Sequence, residues 1–441
     1  MLKFGTDGVR GVAHREITPS AVQFFARAAA RALRCSRVVV GHDPRESSPG
    51  LAGAVAEGFR LEGVEVDFVG MAPTPAVAFL AQHHGCAGAV VTASHNPYTD
   101  NGLKFFREGG TKLSDDEERA IQSIYEQLVS TNERYVEPSL HDGPVSLDAY
   151  VDHVCAAGTS VRGGTRIVVD CANGAMSAVA PQVFARLGID AHVVNASPDG
   201  TNINVACGAA HPENVAAIAR EHACDMAIAF DGDGDRLIAA TNEGVVVDGD
   251  HLIALAALDL KSRDLLTNDA VVVTVMSNIG FHRAMQAAGI TVHTTAVGDR
   301  SVLVELERSG AVLGGEQSGH IIHRSRATTG DGLLAAVELI DMLGRRSETF
   351  SQMAASAMTS YPQVLINVKV AGNAKSAVEA CGDVVREVEA ELGDAGRVLV
   401  RPSGTEPLVR VMVEAHDDAT ARRHAERIAE RIADTARTEQ G

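Results

Sequence analysis

The chain has 441 residues, 45% of them hydrophobic and 22% charged, so it is long enough for about three globular domains plus a smaller fourth and is not disordered as a whole. Its formal net charge of −18 disfavours nucleic acid and anionic membranes as partners. The N-terminus reaches Asp7 before any apolar run develops, and the uncharged stretch 68–99 is interrupted by three prolines. Neither a signal peptide nor a membrane span is therefore expected.

The cysteines are odd in number and show no C-x-x-C spacing. This pattern predicts unpaired thiols in a reducing compartment, so the expected location of the protein is the cytoplasm. The seven cysteines lie at positions 35, 86, 155, 171, 207, 224 and 381.

Three stretches of the chain repeat one pattern of elements. In each, a short β-branched run is followed by a polar turn, an amphipathic helix that ends near a glycine, and an alternating strand. This pattern predicts β-α-β units with largely buried sheets. The units span residues 38–68, 167–193 and 271–292.

Each unit continues into a second apolar strand that ends in a polar, glycine-rich peptide. These peptides span residues 92–97, 231–236 and 314–320. Ligands of α/β sheets bind outside the carboxyl ends of the strands, so three equivalent peptides predict one shared cleft.

The remainder of the chain, from about Tyr361, has a different order of elements. An alternating strand at 364–370 precedes one helix, and strands at 398–400 and 408–413 flank a polar loop before a final helix with one apolar face. We therefore predict three related mixed α/β domains plus a smaller C-terminal α+β domain around a central cleft.

The expected domain boundaries follow from these elements. The four domains are predicted at residues 1–146, 147–249, 250–362 and 363–441. Stretches rich in Pro, Gly and Ser indicate linkers near 138–146, 242–249 and 347–362.

Three aspartates, Asp231, Asp233 and Asp235, alternate with glycines directly after the second unit's apolar strand. A loop of this kind can curl its carboxylates onto one point, which suits Mg²⁺. An EF-hand is excluded because Arg236 and Asn242 occupy the positions that require Gly and Glu. A solvated Asp-Gly turn is the alternative, but three acids at period two after a buried strand favour a metal site.

Ser94 lies at the end of the corresponding strand of the first unit and is followed by His95. No G-x-S-x-G elbow surrounds it, and neighbouring side chains on an extended chain point apart, so the pair alone is typical of a turn. Residues 100–102 (Asp-Asn-Gly) predict a turn that brings Lys104 back towards Ser94. A serine, a lysine, a cation and an incoming phosphate would form a phosphoryl-transfer centre.

Residues 401–405 (Arg-Pro-Ser-Gly-Thr) offer a guanidinium, two hydroxyls and backbone N–H groups around a glycine. That is the composition of a phosphate-binding nest, and Arg410 lies on the following strand. A polar hairpin loop explains the peptide equally well.

Glu316 and His320 lie four residues apart in a glycine-rich loop. They suit sugar hydroxyls or proton transfer, although such a pair is as often structural. The chain has no Walker A motif and no G-x-G-x-x-G, so nucleotide binding of those kinds has no support.

Four of these loops resemble the signature loops of the α-D-phosphohexomutase superfamily, and they occur in the same order along the chain. The matching peptides are 92–97, 231–236, 315–320 and 401–407, with a further match at 5–11. The resemblance extends over essentially the whole chain and implies an enzyme that transfers a phosphoryl group within a hexose phosphate. Peptides 197–204 and 297–300 strengthen the similarity to members that act on a 2-amino sugar.

For such a member the implied reaction interconverts glucosamine 6-phosphate and glucosamine 1-phosphate. It proceeds through a phosphoserine enzyme and glucosamine 1,6-bisphosphate, which serves as intermediate and activator, and its product feeds UDP-N-acetylglucosamine and peptidoglycan synthesis. The implied partners are small sugar phosphates, with the protein a monomer or homodimer. One departure is visible, because Ala209 and Ala210 replace a Ser-Thr pair that is usual in the family.

The resemblance also implies roles for individual residues. Ser94 would carry the phosphoryl group, Lys104 and His320 would move protons, and Arg236 would hold the travelling phosphate. The predicted catalytic set is Ser94, His95, Lys104, Arg236 and His320. One Mg²⁺ would be held by Ser94, Asp231, Asp233 and Asp235. The predicted substrate-binding set is Arg10, Glu316, Ser318, Arg401, Ser403, Gly404, Thr405 and Arg410.

Alternatives remain open at this point. A phosphomannomutase or phosphoglucomutase would use the same chemistry on another sugar, and a metal-dependent phosphatase would release inorganic phosphate instead of isomerising its substrate. A non-catalytic sugar-phosphate sensor on the same fold would be marked by loss of the serine or an aspartate, and this chain keeps all four.

Overall fold

The structure is a computed structural model that describes residues 1–5, 7–131, 133–138, 145–370, 373–403 and 408–438. Contacts divide the chain into two compact units. The larger unit comprises Met1–Met276 and Gly289–Ala357, and the smaller comprises Ser277–Ala288 and Met358–Gly441. Among the described residues, the larger unit contains three sheets with helices and the smaller a single antiparallel sheet. The predicted fold class, mixed α/β domains plus an α+β domain at the C-terminus, is confirmed.

The first sheet places Ser94 just beyond the end of its central strand. Its strands are β1 (Val9–Val12), β2 (Arg37–His42), β3 (Glu65–Met71), β4 (Ala87–Val91), β5 (Asp100–Arg107) and β6 (Thr111–Lys112). The helices are α1 (Pro19–Leu33), α2 (Ser48–Leu61), α3 (Thr74–His84) and α4 (Asp115–Ser130). The strand order is β1-β5-β4-β2-β3, with β6 paired to β5. Strands β2, β3 and β4 are parallel, whereas β5 runs antiparallel to β4 and β1.

The predicted turn at residues 100–102 is wrong. Asp100, Asn101 and Gly102 belong to strand β5 and pair with β1. The chain reverses earlier, across residues 92–99, because pairing of Asp100–Gly102 with β1 outweighs the local turn preference of Asp-Asn-Gly. Lys104 nevertheless returns beside β4, where it lies opposite Val90.

Aromatic packing fixes the orientation of β5. Phe105 packs into the core, with its ring 6.0 Å from that of Phe25, and the Phe25 ring lies 4.8 Å from that of Tyr125. Since successive side chains of a strand point to opposite faces, this packing turns Lys104 to the other face of the sheet.

The second sheet places the aspartate loop at the end of β9. Its strands are β7 (Arg166–Asp170), β8 (Asp190–Val194), β9 (Met226–Phe230), β10 (Leu237–Thr241) and β11 (Val246–Val247). The helices are α5 (Asp148–Cys155), α6 (Ala180–Arg186) and α7 (Pro212–Glu221). The order is β11-β10-β9-β7-β8, with β7 parallel to β8 and β9. Loop 231–236 joins β9 to the antiparallel β10.

The third sheet repeats this arrangement and carries the loop with Glu316 and His320. Its strands are β12 (Ala270–Thr274), β13 (Thr291–Thr295), β14 (Leu313–Gly315) and β15 (Ile321–His323). The helices of this stretch are α8 (Gly249–Ser262), α9 (Ile279–Ala287), α10 (Asp299–Ser309), α11 (Gly332–Arg345) and α12 (Phe350–Ala357). The order is β13-β12-β14-β15, and β14 and β15 form the hairpin that presents the loop.

The smaller unit consists of helix α9 and the C-terminal domain. Its strands are β16 (Gln363–Lys369), β17 (Arg397–Pro402) and β18 (Leu408–Glu414), in the antiparallel order β16-β18-β17. Its other helices are α13 (Ala374–Ala380), α14 (Gly382–Leu392) and α15 (Asp418–Thr438). The predicted single helix is therefore two helices, because the backbone leaves the helical conformation at Cys381.

Two of the predicted linkers contain regular structure. The stretch 242–249 includes β11, and 347–362 includes α12, whose buried residues Phe350 and Met353 give it a core-facing side. Of the third stretch, residues 139–144 lie outside the described residues. The four domain boundaries remain predictions.

The uncharged stretch 68–99 is folded as β3, α3 and β4. In the described part of the chain, the helices lack the combination of length and apolar character that crossing a bilayer requires. The described residues include all seven cysteines, and each is unpaired, as predicted.

A buried carboxylate stabilises the smaller unit. The Glu414 side chain is fully buried and accepts hydrogen bonds from Arg397 Nε (3.0 Å), Gln363 Nε2 (2.8 Å) and the backbone N–H of Ile279 (2.9 Å). It thereby ties the start of α9 to β16 and β17.

We predict that Glu414→Ala lowers the free energy of unfolding by about 3 kcal/mol, because it leaves buried donors without their acceptor. Hydrogen exchange should show loss of protection at the Ile279 amide and along α9. The control Glu391→Ala removes a half-exposed carboxylate that pairs with Arg427 and should change stability by less than about 1 kcal/mol. Equal effects of the two variants would contradict the prediction.

Candidate active site

Ser94 is buried and adopts a left-handed backbone conformation, with φ of 52°. Its Oγ donates a hydrogen bond to Asp231 Oδ2 at 2.7 Å. His95 Nδ1 lies 3.3 Å from the same Oγ. The two neighbouring side chains approach each other because the backbone is not extended at Ser94, so the argument that they point apart does not apply here.

A buried arginine binds the backbone of the Ser94 loop. Arg45 is 0% exposed, and its guanidinium donates to the carbonyls of Ser94 (2.8 Å), Asn96 (2.9 Å), Pro97 and Asp100 (3.1 Å). Five N–H donors in a rigid fork allow one side chain to satisfy this many acceptors. The loop is thereby fixed in a conformation that its own sequence does not enforce.

Asp43 compensates the buried charge of Arg45. It is also fully buried and accepts from Arg45 Nε (2.7 Å), Ser48 Oγ (2.6 Å) and Thr92 Oγ1 (2.7 Å). Thr92 Oγ1 in turn accepts from the Ser94 N–H at 2.9 Å. A continuous set of hydrogen bonds therefore runs from the carboxyl end of β2 to the backbone of Ser94.

The three aspartates converge as the sequence predicts. One ligand atom from each of Asp231, Asp233 and Asp235 lies within 4.8 Å of the others, and all three side chains are buried. The second oxygens of two of them, Asp233 Oδ1 and Asp235 Oδ1, are buried without a hydrogen-bond partner among the described residues. Clustered, buried carboxylates with oxygens that lack hydrogen-bond donors are the donor set that a hard divalent cation takes. The residues present therefore fit a metal ion.

The pKa values of two aspartates are shifted in opposite directions. Burial and the neighbouring carboxylates of Asp235 and Asp233 raise the pKa of Asp231 to about 8. Burial also acts to raise the pKa of Asp235, but the charges of Lys104, His320 and Arg236 lower it well below its usual value. A bound dication would remove the shortage of positive charge at Asp231.

The aspartate loop approaches the Ser94 loop closely because residue 232 is a glycine. A Cβ at Gly232 would lie 2.6 Å from the Ser94 carbonyl oxygen and 2.7 Å from Asn204 Nδ2. Asn204 Nδ2 donates to that same carbonyl at 2.9 Å. A side chain at position 232 would push the two loops apart and separate Ser94 from Asp231.

Lys104 supplies part of the compensating charge. Its Nζ lies 2.8 Å from Asp233, 3.0 Å from Asp235 and 3.0 Å from Asp7. Burial alone would lower the pKa of Lys104, but the carboxylates of Asp233, Asp235 and Asp7 raise it well above its usual value. In this arrangement Lys104 is a counter-charge beside the aspartates.

The charges around the site form a closed ring. Lys112 contacts Asp7 at 2.6 Å and also contacts Asp299. His320 lies between Asp299, 3.6 Å from Nε2, and Asp235, 3.7 Å from Nδ1. Acidic and basic groups therefore alternate around the ring Lys104, Asp7, Lys112, Asp299, His320 and Asp235.

His320 is 2% exposed, and its closest polar contact is the Gly330 backbone N–H, 3.2 Å from Nε2. Burial opposes protonation, but Asp235 and Asp299 raise the pKa of His320. Both carboxylates lie beyond hydrogen-bond distance, so the Gly330 contact decides which nitrogen accepts. Nε2 is unprotonated when that bond is made, and the ring proton then lies on Nδ1, facing Asp235.

Arg236, His95 and Arg10 are further polar residues near the Ser94 loop. The Nε of Arg236 is buried, has no hydrogen-bond partner in the part of the chain that is described, and lies 3.9 Å from Asp235 Oδ1. Burial, followed by the charges of Arg236 and Arg10, lowers the pKa of His95 to about 4. Arg10 donates to Asp7 at 3.0 Å and to Asn96 Oδ1, in the Ser94 loop, at 3.5 Å.

The other residues of the 314–320 peptide are held at the edge of the site. Glu316 Oε1 accepts from the Gly298 N–H at 3.0 Å, and Gln317 Nε2 donates to Asp248 at 3.3 Å. Ser318 is exposed. The short helical turn that carries Ala209 and Ala210 leaves the first half-buried and the second exposed.

The predicted phosphate-binding loop belongs to the smaller unit. Arg401 on β17 lies directly opposite Arg410 on β18. Burial and the charge of Arg410 lower the pKa of Arg401. Two like charges side by side destabilise a strand pair unless an anion shares them, which suits a phosphate. Ser403 is half-buried beside them, whereas Gly404 and Thr405 lie outside the described residues.

Within the larger unit, three of the predicted loops do converge, because Ser94, the three aspartates and His320 are linked by short contacts. The sequence interpretation missed Asp43 and Arg45, which read as an ordinary polar turn after β2. It also missed Asp7, Lys112 and Asp299 as members of the charged ring. The rule that found the other loops, a polar peptide at the carboxyl end of a strand, applies equally to Asp43-Pro44-Arg45.

Comparison with known proteins assigns the chain to a family. Four phosphoglucomutase/phosphomannomutase domains match in order: alpha/beta/alpha domain I at residues 1–132, domain II at 148–244, domain III at 248–361 and the C-terminal domain at 365–431. The chain belongs to the phosphoglucomutase/phosphomannomutase family. The resemblance to phosphohexomutases inferred from the signature loops is thereby confirmed.

Relatives of the family are similar over the full length. A phosphoglucosamine mutase of Saccharopolyspora erythraea is 46% identical over 98% of this chain and 98% of its own length. A phosphoglucosamine mutase of Mycobacterium sp. (strain KMS) is 45% identical over 98% and 99%.

Solved structures share the fold. A phosphoglucomutase/phosphomannomutase family protein from Burkholderia thailandensis is 25% identical, with a TM-score of 0.80 over 98% of this chain and 97% of that one. The N-acetylphosphoglucosamine mutase of Aspergillus fumigatus, solved in complex with GlcNAc-6P and magnesium, is 18% identical, with a TM-score of 0.70 over 98% and 96%. At that identity the second likeness concerns the fold alone.

We predict that Arg45→Met lowers the free energy of unfolding by about 3–5 kcal/mol, because Asp43 loses its counter-charge and four carbonyls lose their donor. Amides of residues 94–100 should exchange faster with solvent. Arg45→Lys should rescue only in part, since an ammonium cannot donate as a fork.

The matched control is Arg31→Met. Arg31 is 41% exposed and pairs with Glu62, so its loss should change stability by less than about 1 kcal/mol. Unchanged exchange in residues 94–100 of Arg45→Met would show that Arg45 does not hold the loop.

Proposed function

We propose that this protein is a phosphoglucosamine mutase, which interconverts glucosamine 6-phosphate and glucosamine 1-phosphate. The observation that carries the proposal is the position of the Ser94 hydroxyl, buried and 2.7 Å from one of three clustered carboxylates. The full-length similarity to curated phosphoglucosamine mutases supports the choice of sugar.

In the proposed reaction Ser94 carries the phosphoryl group. The bond between phosphorus and Ser94 Oγ breaks as a bond forms from phosphorus to the free hydroxyl of the substrate, whose proton passes to a base of the enzyme. The product of this step is glucosamine 1,6-bisphosphate. After the bisphosphate turns over in the site, its other phosphoryl group returns to Ser94 and the isomeric monophosphate leaves. The bisphosphate also activates enzyme that lacks the phosphoryl group.

Ser94, Asp231, Asp233 and Asp235 would hold one Mg²⁺, which is consistent with the orphaned carboxylate oxygens of the site. When bound, Mg²⁺ neutralises charge on phosphoryl oxygens and so favours their transfer. Lys104 lies beside the aspartates and orients Asp233 and Asp235 through its contacts with them.

The other side chains bind substrate or move protons. Lys104 and His320 are proposed to exchange protons with the sugar hydroxyl. Arg236, whose Nε has no hydrogen-bond partner among the described residues, is proposed to hold the travelling phosphate. His95, neutral at physiological pH because its pKa is lowered to about 4, accepts or donates near Ser94 Oγ. Arg10, Glu316 and Ser318 would contact the sugar phosphate. The non-reacting phosphate would be bound by Arg401, Ser403, Gly404, Thr405 and Arg410.

We further propose that the protein acts in the cytoplasm, as a monomer or homodimer, on the route to UDP-N-acetylglucosamine. A phosphomannomutase or phosphoglucomutase activity is the nearest alternative, and only relative rates on the competing sugars separate them. A non-catalytic sensor is disfavoured because Ser94 and all three aspartates are retained.

We predict that the purified protein converts glucosamine 6-phosphate with a higher kcat/KM than glucose or mannose 6-phosphate, measured by a coupled assay for each 1-phosphate. Ser94→Ala should lower kcat by at least about 1,000-fold without loss of folding, because the carrier hydroxyl is gone. The control Ser130→Ala changes an exposed serine at the end of α4 and should keep full activity. Retained turnover in Ser94→Ala would exclude the carrier role.

A second prediction concerns the metal and is independent of turnover. Titration of the protein with Mn²⁺ or Mg²⁺, followed by calorimetry, should give one site per chain and a higher melting temperature. Asp233→Asn should weaken binding roughly 100-fold or more, since even partners outside the coordination shell contribute that much. The control Asp190→Asn, at the exposed start of β8, should bind normally. Equal affinities of the two variants would place the metal elsewhere.

A further inference from the structure

A short peptide at the start of α11, residues 330–332, contacts both halves of the candidate site. The backbone N–H of Gly330 donates to His320 Nε2 at 3.2 Å, and the backbone N–H of Gly332 donates to the carbonyl of Gly234, in the aspartate loop, at 3.0 Å. Asp331 lies between them. We call residues 330–332 the bracket, because one short peptide supports His320 on one side and the aspartate loop on the other.

The His320 ring lies directly against the bracket. A Cβ at Gly330 would be 2.5 Å from Nε2, 2.5 Å from Cε1 and 2.7 Å from Nδ1 of His320. The contacting atoms belong to a ring that is itself buried, so a methyl group at position 330 could be accommodated only by displacing that ring. The glycine is thus required by the approach of the imidazole.

Asp331 fixes the bracket in place. It is 4% exposed, and its carboxylate accepts from the Leu334 N–H at 2.9 Å, which caps helix α11. The same carboxylate accepts from the hydroxyl of Tyr150, at 3.0 Å to Oδ1 and 3.1 Å to Oδ2. Tyr150 is 0% exposed and comes from helix α5, 181 residues earlier in the chain.

We propose that Tyr150 and Asp331 are positioning residues for the phosphoryl transfer. By fixing the bracket, they orient the His320 ring towards the reacting hydroxyl. They also keep the aspartate loop at a fixed position relative to that ring. This inference rests on the proposed function, in which His320 exchanges a proton with the sugar. Neither residue contacts the reacting atoms. Their effect passes through the two backbone N–H groups of the bracket.

The chemical consequence is that the imidazole ring is held in one orientation. With the Gly330 N–H on Nε2, the ring proton lies on Nδ1, and rotation of the ring by half a turn would break that bond. A looser bracket would let the ring sample both orientations. Substrate binding would be little affected, since the phosphate and sugar contacts lie on other residues, but fewer enzyme molecules would be poised for proton transfer.

The first test is Tyr150→Phe, which removes one hydroxyl and keeps the ring in the core. We expect kcat to fall about tenfold, the effect of losing one buried hydrogen bond to a charged group, while KM stays within about twofold. The matched control is Tyr125→Phe, since Tyr125 is equally buried and its hydroxyl contacts only the Leu2 N–H among the contacts described. Tyr125→Phe should retain both the kcat and the KM of the unaltered protein.

The second test reads the His320 ring without turnover. The measurement uses metal-free protein labelled with ¹⁵N-histidine, at a pH at which the His320 imidazole is neutral, with its signals assigned through His320→Gln. Nε2 should then resonate as an unprotonated, hydrogen-bonded nitrogen. Tyr150→Phe should shift this signal towards an average of orientations. Gly330→Ala, whose new methyl group meets the ring, should shift it further, whereas Gly50→Ala, with open space around its Cβ, should leave it unchanged.

The two tests together distinguish the possible outcomes. A shifted Nε2 signal together with a lowered kcat and unchanged KM supports the proposal. An unchanged signal in Tyr150→Phe and Gly330→Ala overturns it, and so does a shifted signal with unchanged kcat, because the ring orientation would then not limit the reaction. Absence of mutase activity in the unaltered protein would instead refute the proposed function, and the resonance data would still show whether the bracket holds the ring.

Discussion

Three carboxylates buried within 4.8 Å of one another are the constraint on which the rest of the larger unit depends. Charges of one sign in a site of low dielectric repel each other and resist the loss of water. Neighbouring basic residues compensate part of this charge. Lys104 lies against two of the carboxylates. From Lys104, alternating acidic and basic groups continue through Asp7, Lys112, Asp299 and His320 back to Asp235. Among the described residues, Asp233 Oδ1 and Asp235 Oδ1 still lack hydrogen-bond partners, and a dication fits there.

The serine is positioned by a second buried system of charge. Arg45 and Asp43 hold the loop by its carbonyls and leave the Ser94 side chain free to point at Asp231. The charge that holds the loop is thus separate from the charge that would bind the metal. A loop held through its backbone can accept a phosphoryl group on its side chain without losing its anchor.

Much of the site could be predicted because its residues lie in short peptides at the carboxyl ends of strands. Asp231, Asp233 and Asp235 share one loop, and Ser94 and His320 lie in peptides that follow equivalent strands, so local patterns and one rule of α/β topology bring them together. Arg45 also follows a strand end but has no distinctive motif around it. The turn assigned to Asp100–Gly102 was wrong because a local preference was outweighed by pairing with β1, which the sequence does not display.

Other features could not be predicted from a single sequence. The pair of Tyr150 and Asp331 joins residues 181 positions apart, and nothing near either residue signals the other. The ring through Lys112 and Asp299 is a product of the packing of separate sheets. Long-range contacts of this kind depend on how the elements pack, whereas strand-end loops depend on where each element stops.

The central claim is that Ser94 carries the phosphoryl group beside these aspartates. Its most direct test is mass spectrometry of the intact protein after incubation with glucosamine 1,6-bisphosphate, with the site of any phosphate located by fragmentation. We predict a single added phosphoryl group on Ser94, which disappears when glucosamine 6-phosphate is supplied in excess. A phosphoryl group on another residue, or none at all in protein that is active as a mutase, would contradict the account.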